Sequence, residues 1–377
     1  HWAATPHPTP GGRQWARPRA RSDWLGRQPE DRLARPALGR TVRISHYFEW
    51  EGQITGGHAQ SVRNQRTMLS RAGVEYTTAP DLSADLLHLN NMGPRSLYHA
   101  RRAHDRDVPV LVHAHQTAED FRESFALSDV VAPALRPYLS YAYGLADHLI
   151  CPSEHTARVL DDYCDTPRTV VSNGFDPAKL DGADDPDLRA TYLDRYDLDP
   201  PVVYMVGHVI ERKGLRAFVE TASRMPETEF VWFGYLNPGG GTIDRVLRSR
   251  TTTTLVRGAP RNCTFTGYID DIAGAFAAGD VFFFPTKNEN EGMALLEAMA
   301  TGAPPVVRDI EPFEWLADGE TALKADGVAG FESALRRLLA DPERRVALGA
   351  AAAAESEQYE LDAVAGDLLA VYTDLLG

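Results

Sequence analysis

The chain has 377 residues, of which 43% are hydrophobic and 24% are charged, and its formal net charge at pH 7 is −14. Single hydrophobic cores stop growing at about 250–300 residues, so this length favours two domains. The acidic balance argues against a non-specific nucleic-acid binder, which needs a basic surface. No stretch approaches the roughly 18 apolar residues of a membrane span.

The composition also bears on the environment of the protein. The chain has only four lysines, which are Lys179, Lys213, Lys287 and Lys324. An acid excess with scarce lysine fits a halophile, whose proteins are solvated at high salt, and fits a GC-rich genome equally well. The three cysteines, Cys151, Cys164 and Cys263, lie far apart and form no C-x-x-C pair. They are typical of reduced thiols in a cytoplasmic protein.

Residues 1–40 differ from the rest of the chain. They carry eight arginines, three acidic residues and six prolines, with no periodic apolar face. Because the segment also has no apolar h-region, we do not interpret it as a signal peptide. Its composition predicts a disordered extension.

From Thr41 onward, apolar runs of strand length alternate with segments of helical length, which is typical of βαβ units around a parallel sheet. Residues 41–180 are expected to form a first Rossmann-like domain. The expected strands there are Val42–Phe48, Leu86–Leu89, Val108–His113, Leu149–Cys151 and Thr169–Ser172, with helices over Ser61–Ala72, Ser96–Ala103 and Glu154–Tyr163.

Residues 181–200 are acidic and weakly periodic, and we expect them to be an interdomain linker. The alternation then restarts in a second Rossmann-like domain, residues 201–355, followed by a C-terminal helix, residues 356–377, that packs back on the first domain. The expected strands of the second domain are Val202–Gly207, Phe230–Phe233, Cys263–Thr266, Val281–Phe284 and Pro305–Val307. Its expected helices are Gly214–Arg224 and Met293–Thr301, and a Gly-rich loop is expected at Pro238–Gly241. Two such doubly wound domains imply a ligand cleft at the carboxyl ends of their strands.

The segment Pro285–Ala300 carries the strongest chemical signal, because it follows an apolar strand and opens a helix. Gly292 permits close backbone approach, and N–H groups at a helix start, near Met293, favour an anion such as a pyrophosphate. Glu297, inside the first two helical turns, is suited to accept hydrogen bonds from a ribose diol. Glu289, before the turn, is suited to hold sugar hydroxyls, and Glu291 is a further donor-binding candidate.

This spacing resembles the E-x7-E motif of family 4 glycosyltransferases, which are retaining enzymes of the GT-B fold. The wider stretch Gly267 to Leu323, with Arg308-Asp309-Ile310, is similar to bacterial enzymes that build glucosyl-diacylglycerols. The resemblance covers nearly all of residues 41–377 in element order. It implies two facing Rossmann-like domains, a nucleotide-sugar donor and no bound metal or other cofactor.

The turn Gly207–Gly214 provides the second signal. Arg212 and Lys213 stand near a helix start, where cations oppose the helix dipole and therefore invite a phosphate partner. In the family a similar turn supplies an arginine and a lysine to the donor diphosphate, and Lys213 matches that lysine. His208 occupies the usual arginine position, so Arg212 is the candidate for the arginine's role.

The first domain contributes His115, which follows a strongly apolar strand and matches the family's active-site histidine. The H-x-H pattern of His113 and His115 also suggests a metal, but no carboxylate or cysteine at metal spacing accompanies it. Gly57 resembles the glycine turn after the family's first strand, although an ordinary tight turn is an alternative. Tyr268 lies where the family binds the nucleobase, or belongs to the core.

These residues predict a hexosyltransferase that uses a nucleoside-diphosphate sugar, a UDP-hexose rather than GDP-mannose. The resemblance implies that this hexosyltransferase retains the anomeric configuration. His115, Lys213 and Glu289 are the catalytic candidates. The resemblance implies a lipid or lipid-linked glycan acceptor and a cytoplasmic protein in peripheral contact with the inner face of the membrane. The cationic segment Arg95–Arg106 is a candidate for that contact, although a solvated helix face is an alternative.

Two alternative functions use the same donor site. One is a nucleotide-sugar epimerase of the GT-B fold, which needs additional acid and base groups and no acceptor. The other is a catalytically silent protein that binds a nucleotide sugar. The chain lacks G-x-x-x-x-G-K-[ST], a G-x-G-x-x-G after its first strand and G-x-S-x-G. These absences disfavour a P-loop enzyme, an NAD-dependent dehydrogenase and an α/β-hydrolase.

Overall fold

A computed structural model describes residues 42–121, 128–236 and 250–377. The predicted extension, residues 1–40, and the Gly-rich loop at Pro238–Gly241 lie outside the described residues. All of the described residues belong to one compact unit. Within it, two parallel six-stranded sheets form the cores of two Rossmann-like domains.

The first sheet has the order β2-β1-β3-β4-β5-β6. Its strands are β1 Arg43–Tyr47, β2 Glu75–Thr77, β3 Leu86–Leu89, β4 Val110–His113, β5 His148–Cys151 and β6 Arg168–Val170. The helices around it are α1 Gly57–Arg71, α2 Pro94–His104, α3 Ala118–Phe121, α4 Ser128–Tyr143 and α5 Glu154–Asp161. β3 and β4 are fully buried, which explains why their sequences are apolar except for His88 and His113 and do not alternate with polar residues.

The second sheet has the order β12-β11-β10-β7-β8-β9, so successive strands are added on one side of β7 up to β9 and on its other side from β10 onward. Its strands are β7 Val202–Val206, β8 Glu229–Phe233, β9 Cys263–Gly267, β10 Val281–Phe284, β11 Pro305–Arg308 and β12 Leu323–Ala325. Its helices are α6 Pro186–Tyr196, α7 Leu215–Arg224, α8 Arg250–Arg257, α9 Ile272–Ala278, α10 Met293–Ala300, α11 Gly327–Ala340 and α12 Pro342–Ser356. Open α/β sheets bind ligands at such a switch point.

The C-terminal helix α13, Leu361–Leu376, returns to the first domain. Its buried residues Leu361, Val364 and Leu368 belong to one hydrophobic cluster with Ile44 and Leu86 of the first sheet. The crossing is fixed by backbone hydrogen bonds from Phe175 N to Tyr359 O and from Leu361 N to Phe175 O, both 3.0 Å. The two domains are therefore tied together at a second place besides their linker.

Several elements differ from the sequence expectation. The segment expected as a linker contains α6, which packs against α9 and inserts Tyr192 beside Gly274. The short strands β2 and β12 were not predicted, because each has only three residues and mixed polarity. α4 was not predicted either, since Pro133 and Pro137 interrupt its sequence.

Candidate active site

The loop that follows β10 lies at the switch point of the second sheet, where the sequence places the E-x7-E pattern. Gly292 has a left-handed backbone (φ 93°) and directly precedes α10. A Cβ at this position would approach Phe313 to 3.3 Å, so the conformation and the space both favour glycine. The turn thereby directs the N-terminus of α10 into the cleft.

A second helix begins opposite α10. Helix α1 starts at Gly57 after Gly56, whose φ is 75°. Met293 Sδ is 3.9 Å from the position that a Cβ of Gly57 would occupy, so the two helix starts are neighbours across the cleft. Because helix N-termini carry partial positive charge and unpaired N–H groups, this junction favours an anion.

Lys213 and Glu289 form a buried pair beside this junction. Lys213 Nζ is 2.5 Å from Glu289 Oε1, and Thr286 Oγ1 donates a 2.9 Å hydrogen bond to the same oxygen. Burial raises the pKa of Glu289, but Lys213 and Arg212 outweigh that effect and hold the pKa below its ordinary value. Burial lowers the pKa of Lys213, and Glu289 opposes that shift. The pair thus keeps a cation in a site largely closed to water.

Arg212 brings a guanidinium to the same place. Its Nη1 donates to the Asn288 carbonyl at 2.8 Å, and it lies 3.8 Å from Asp120 Oδ1 and 3.9 Å from Glu289 Oε2. His208, at the position where the resemblance implies an arginine, packs its ring against Gly56 instead. Burial and the nearby cations lower the pKa of His208 to about 4, so its imidazole is neutral at pH 7. Arg212 is accordingly the arginine that the structure brings to the cleft.

His115 lies beyond the carboxyl end of β4 and faces the same loop from the first domain. Its carbonyl accepts a 2.9 Å hydrogen bond from Asn290 Nδ2, and its ring stacks on His113 with 4.2 Å between centroids. Its Nε2 is 3.4 Å from Asn90 Oδ1 and 3.4 Å from Gln65 Nε2. Burial and the neighbouring imidazoles hold its pKa well below the ordinary value, so the ring is neutral.

Glu291, predicted as a donor-binding residue, lies at the contact between the two domains. Its carboxylate accepts hydrogen bonds from Ser172 Oγ, from Asn173 Nδ2 at 2.7 Å and from Asn173 N at 3.1 Å. These groups belong to the first domain, so Glu291 makes an interdomain contact, and its binding of the donor stays a prediction. Burial raises its pKa to about 7, against the opposing effect of these hydrogen bonds.

Glu297 lies in α10, one turn after the anion-favouring helix start, and is 8% exposed. Burial raises its pKa to about 7, and Lys179 partly offsets that shift. Tyr268 follows β9 and is 67% exposed, with its ring 5.4 Å from that of Tyr235. Tyr268 is therefore not a core residue, and its contact with the nucleobase stays a prediction. Tyr235 in turn lies 5.3 Å from the His208 ring, so these aromatic rings lead outward from the cleft.

The structure thus brings together Lys213, Arg212, Glu289, Gly292 and His115. Sequence reasoning did not single out Asn288 and Asn290, because their partners lie about 170 residues earlier in the chain. Ser153 caps α5 through Thr156 N and also donates to the Asn290 carbonyl.

In residues 42–121, 128–236 and 250–377, no group of three or more His, Cys, Asp or Glu side chains has the arrangement needed to hold a metal ion. Within the same ranges, no helix combines the length and apolar character needed to cross a membrane.

Comparisons with known proteins identify the family. A family model described as "Glycosyltransferase Family 4" matches residues 63–179, and one described as "Glycosyl transferases group 1" matches residues 200–341. The processive diacylglycerol alpha-glucosyltransferase of Acholeplasma laidlawii is 33% identical over 294 residues, which cover 75% of this chain and 83% of that protein.

Two further matches are more distant or shorter. The GDP-mannose-dependent alpha-(1-6)-phosphatidylinositol monomannoside mannosyltransferase of Mycolicibacterium smegmatis is 33% identical over 45% of this chain and 47% of its own length. The solved structure of Anabaena Alr3699/HepE with UDP-glucose superposes with a TM-score of 0.70 at 15% identity, covering 88% of this chain and all of that chain, and supports the fold alone. The chain belongs to the family 4 glycosyltransferases, with the two-domain GT-B fold that its sheets display.

Proposed function

We propose that this glycosyltransferase moves a hexosyl group from a nucleoside-diphosphate sugar to a hydroxyl acceptor with retention of the anomeric configuration. The observation that carries the proposal is the meeting of the α1 and α10 N-termini beside Lys213 and Arg212 at the switch point of the second sheet. A diphosphate is the ligand chemistry that two helix starts, an ammonium and a guanidinium favour together.

The departing diphosphate gains negative charge as the bond to the sugar breaks. Lys213, Arg212 and the backbone N–H groups near Gly292 and Met293 would stabilise that charge. They are fixed before the reaction, because Lys213 is held by Glu289 and Arg212 by the Asn288 carbonyl. Preorganised charge in a site closed to water is the main source of such stabilisation.

The two ends of the donor would meet the two acids of the motif. Glu289 and neutral His115 would position the sugar, and Glu297 would accept hydrogen bonds from the ribose. Because burial raises the pKa of Glu297 to about 7, a ribose diol that donates to its carboxylate would favour the ionised form.

Retention without a covalent intermediate is consistent with the cleft chemistry. Of its described acids, Glu289 is paired with Lys213, and Glu291 is bonded to Asn173. Asp120 accepts from Asn288. In our proposal the acceptor attacks from the face that the diphosphate leaves, and the departing phosphate takes the acceptor's proton.

A UDP-hexose is our proposed donor. The glucosyl transfer named for the Acholeplasma laidlawii relative and the UDP-glucose in the Anabaena complex both support it. Gly57 and Tyr268 would contact the donor at its phosphate and base ends. The mycobacterial relative, named for GDP-mannose, makes GDP-mannose the competitor to test.

The proposed acceptor is a lipid or a lipid-linked glycan, reached by peripheral contact with the inner face of the membrane. The diacylglycerol acceptor named for the Acholeplasma laidlawii relative supports it. Helix α2 supplies exposed arginines, and Arg101 lies over the ring of Tyr141 with its Cζ 5.4 Å from the centroid. Tyr98, on the same helix, is 58% exposed. Arginine and tyrosine together suit an anionic membrane interface. The free thiols of Cys151, Cys164 and Cys263 fit a cytoplasmic location.

Incubation of the purified protein with UDP-glucose and vesicles containing diacylglycerol and anionic phospholipid tests this function. The expected product is a glycolipid whose anomeric carbon keeps the α configuration of the donor, read by NMR. A β-linked product would overturn retention. Conversion of UDP-glucose to an epimer without any acceptor would favour the epimerase alternative, and nucleotide binding without turnover would favour the silent one.

A further inference from the structure

Different residues of the loop between β10 and α10 bind different domains. Asn288, Asn290 and Glu291 bind the first domain, through Asp120, the His115 carbonyl and Asn173 respectively. Glu289, in the middle of the same loop, binds Lys213 of its own domain. The position of Glu289 is therefore coupled to the contact between the two domains.

Asp120 has the most direct connection to this cluster among the first-domain acids. It lies in α3, and its side chain is 12% exposed. One carboxylate oxygen accepts from Asn288 Nδ2 at 2.9 Å, and the other accepts from Thr117 Oγ1 at 2.9 Å. The Thr117 hydrogen bond fixes the carboxylate on the first domain, so it is presented to the second domain in one orientation.

Arg212 completes the connection. The oxygen of Asp120 that accepts from Asn288 also lies 3.8 Å from Arg212 Nη1. The same Nη1 donates to the Asn288 carbonyl and lies 3.9 Å from Glu289 Oε2. Asp120 thus contacts the side chain of Asn288 directly and the carbonyl of Asn288 by way of Arg212.

We propose that Asp120 is a positioning residue that orients Arg212 and the Asn288–Glu289 segment for the transfer step when the two domains are in contact. This inference rests on the proposed function, since it assigns Asp120 a part in preparing the same site. Gly292, Glu297 and Lys213, which are proposed nucleotide contacts, belong to the second domain and do not contact Asp120, and Arg212 keeps its hydrogen bond to the Asn288 carbonyl. The loss of Asp120 should therefore slow turnover much more than it weakens nucleotide binding.

The neighbouring acid provides a matched control. Glu119 lies in the same helix, carries the same charge and accepts a 2.7 Å hydrogen bond from Tyr163 OH within the first domain. Glu119→Gln should therefore leave turnover unchanged. Asp120→Asn is the conservative variant, because its amide oxygen still accepts from Asn288 while its charge toward Arg212 is lost.

The experiment measures kcat with UDP-glucose and acceptor vesicles, and the Kd for UDP, in the full chain and these variants. Misplaced reacting groups cost about 100-fold in rate, and we expect such a loss of kcat in Asp120→Ala with a much smaller rise in the Kd for UDP. Asp120→Asn should recover part of the loss. Turnover of Asp120→Ala equal to that of Glu119→Gln, or a parallel weakening of UDP binding and kcat, would overturn the inference.

A second measurement separates this inference from the proposed function. Wild-type protein that turns over no donor would refute the proposed function, and the coupling would then be read from thermal unfolding of Asp120→Ala, Asn288→Ala and the double variant. Non-additive shifts in Tm are expected, because either single change breaks the same contact. Additive shifts would overturn the role assigned to Asp120.

Discussion

Replacing His113 by phenylalanine should make the protein less sensitive to acid. The His113 ring is stacked between those of His115 and His88, with interplanar angles of 3° and 8°. In the described parts of the chain neither of its nitrogens has a hydrogen-bond partner. Phenylalanine therefore keeps the stacked ring and removes only the titratable atoms.

The magnitude follows from the pKa of His113, which burial and the nearby imidazoles of His46 and His58 lower from 6.5 to about 3. The folded state keeps this ring neutral, whereas the unfolded chain binds a proton below pH 6.5. The contribution of the ring to stability is therefore complete above pH 6.5 and is lost as the pH falls toward 3. pH 5 lies about 1.5 units below the pKa of the ring in the unfolded chain. Protonation at pH 5 therefore stabilises the unfolded state by about 2 kcal/mol relative to the folded state.

Urea unfolding at pH 7 and pH 5 measures this effect in wild type and His113→Phe. The loss of unfolding free energy between the two pH values should be smaller in the variant by about 2 kcal/mol. An unchanged pH dependence in His113→Phe would refute the reasoning that the buried ring stays neutral.

Two further predictions concern the cleft. Lys213→Gln should lower kcat by about 100-fold to 1,000-fold, because it removes a preorganised cation from the departing diphosphate, and steady-state rates with UDP-glucose measure it. Retention of wild-type turnover would remove Lys213 from the mechanism. Gly292→Ala should cost about 1–3 kcal/mol in stability and weaken UDP binding, because its φ of 93° disfavours a side chain and the new Cβ would approach Phe313. Calorimetric unfolding and UDP titration check it, and an unaltered Tm with unaltered affinity would contradict it.

The fold was largely predictable because buried parallel strands are nearly continuous apolar runs. Leu86–Leu89 and Val281–Phe284 have the predicted bounds for this reason. Helix α6 was missed because it lies in an acidic segment, residues 181–200, and Tyr192 is its one buried residue. Its helical state depends on packing against α9, which lies about 80 residues later in the chain and leaves no local periodic signal.

The candidate site was predictable only in part. Lys213 and Glu289 follow strands that are neighbours in the sheet, so the rule for strand ends brings them together. Glu291 is a glutamate in the same loop as Glu289, but its partner Asn173 lies in the other domain. Nothing in the spacing of the motif distinguishes an acid that faces a ligand from one that faces the other domain.

The donor site is tested most directly by thermal unfolding of the wild type with UDP, GDP, ADP and their sugars in high-salt buffer, beside Glu297→Ala. A ligand at about one hundred times its Kd adds roughly 2.7 kcal/mol to the stability of the native state. We predict that Tm rises with UDP and a UDP-hexose and that Glu297→Ala abolishes the rise. No shift with any nucleotide, or a shift that survives Glu297→Ala, would contradict the donor site described for this cleft.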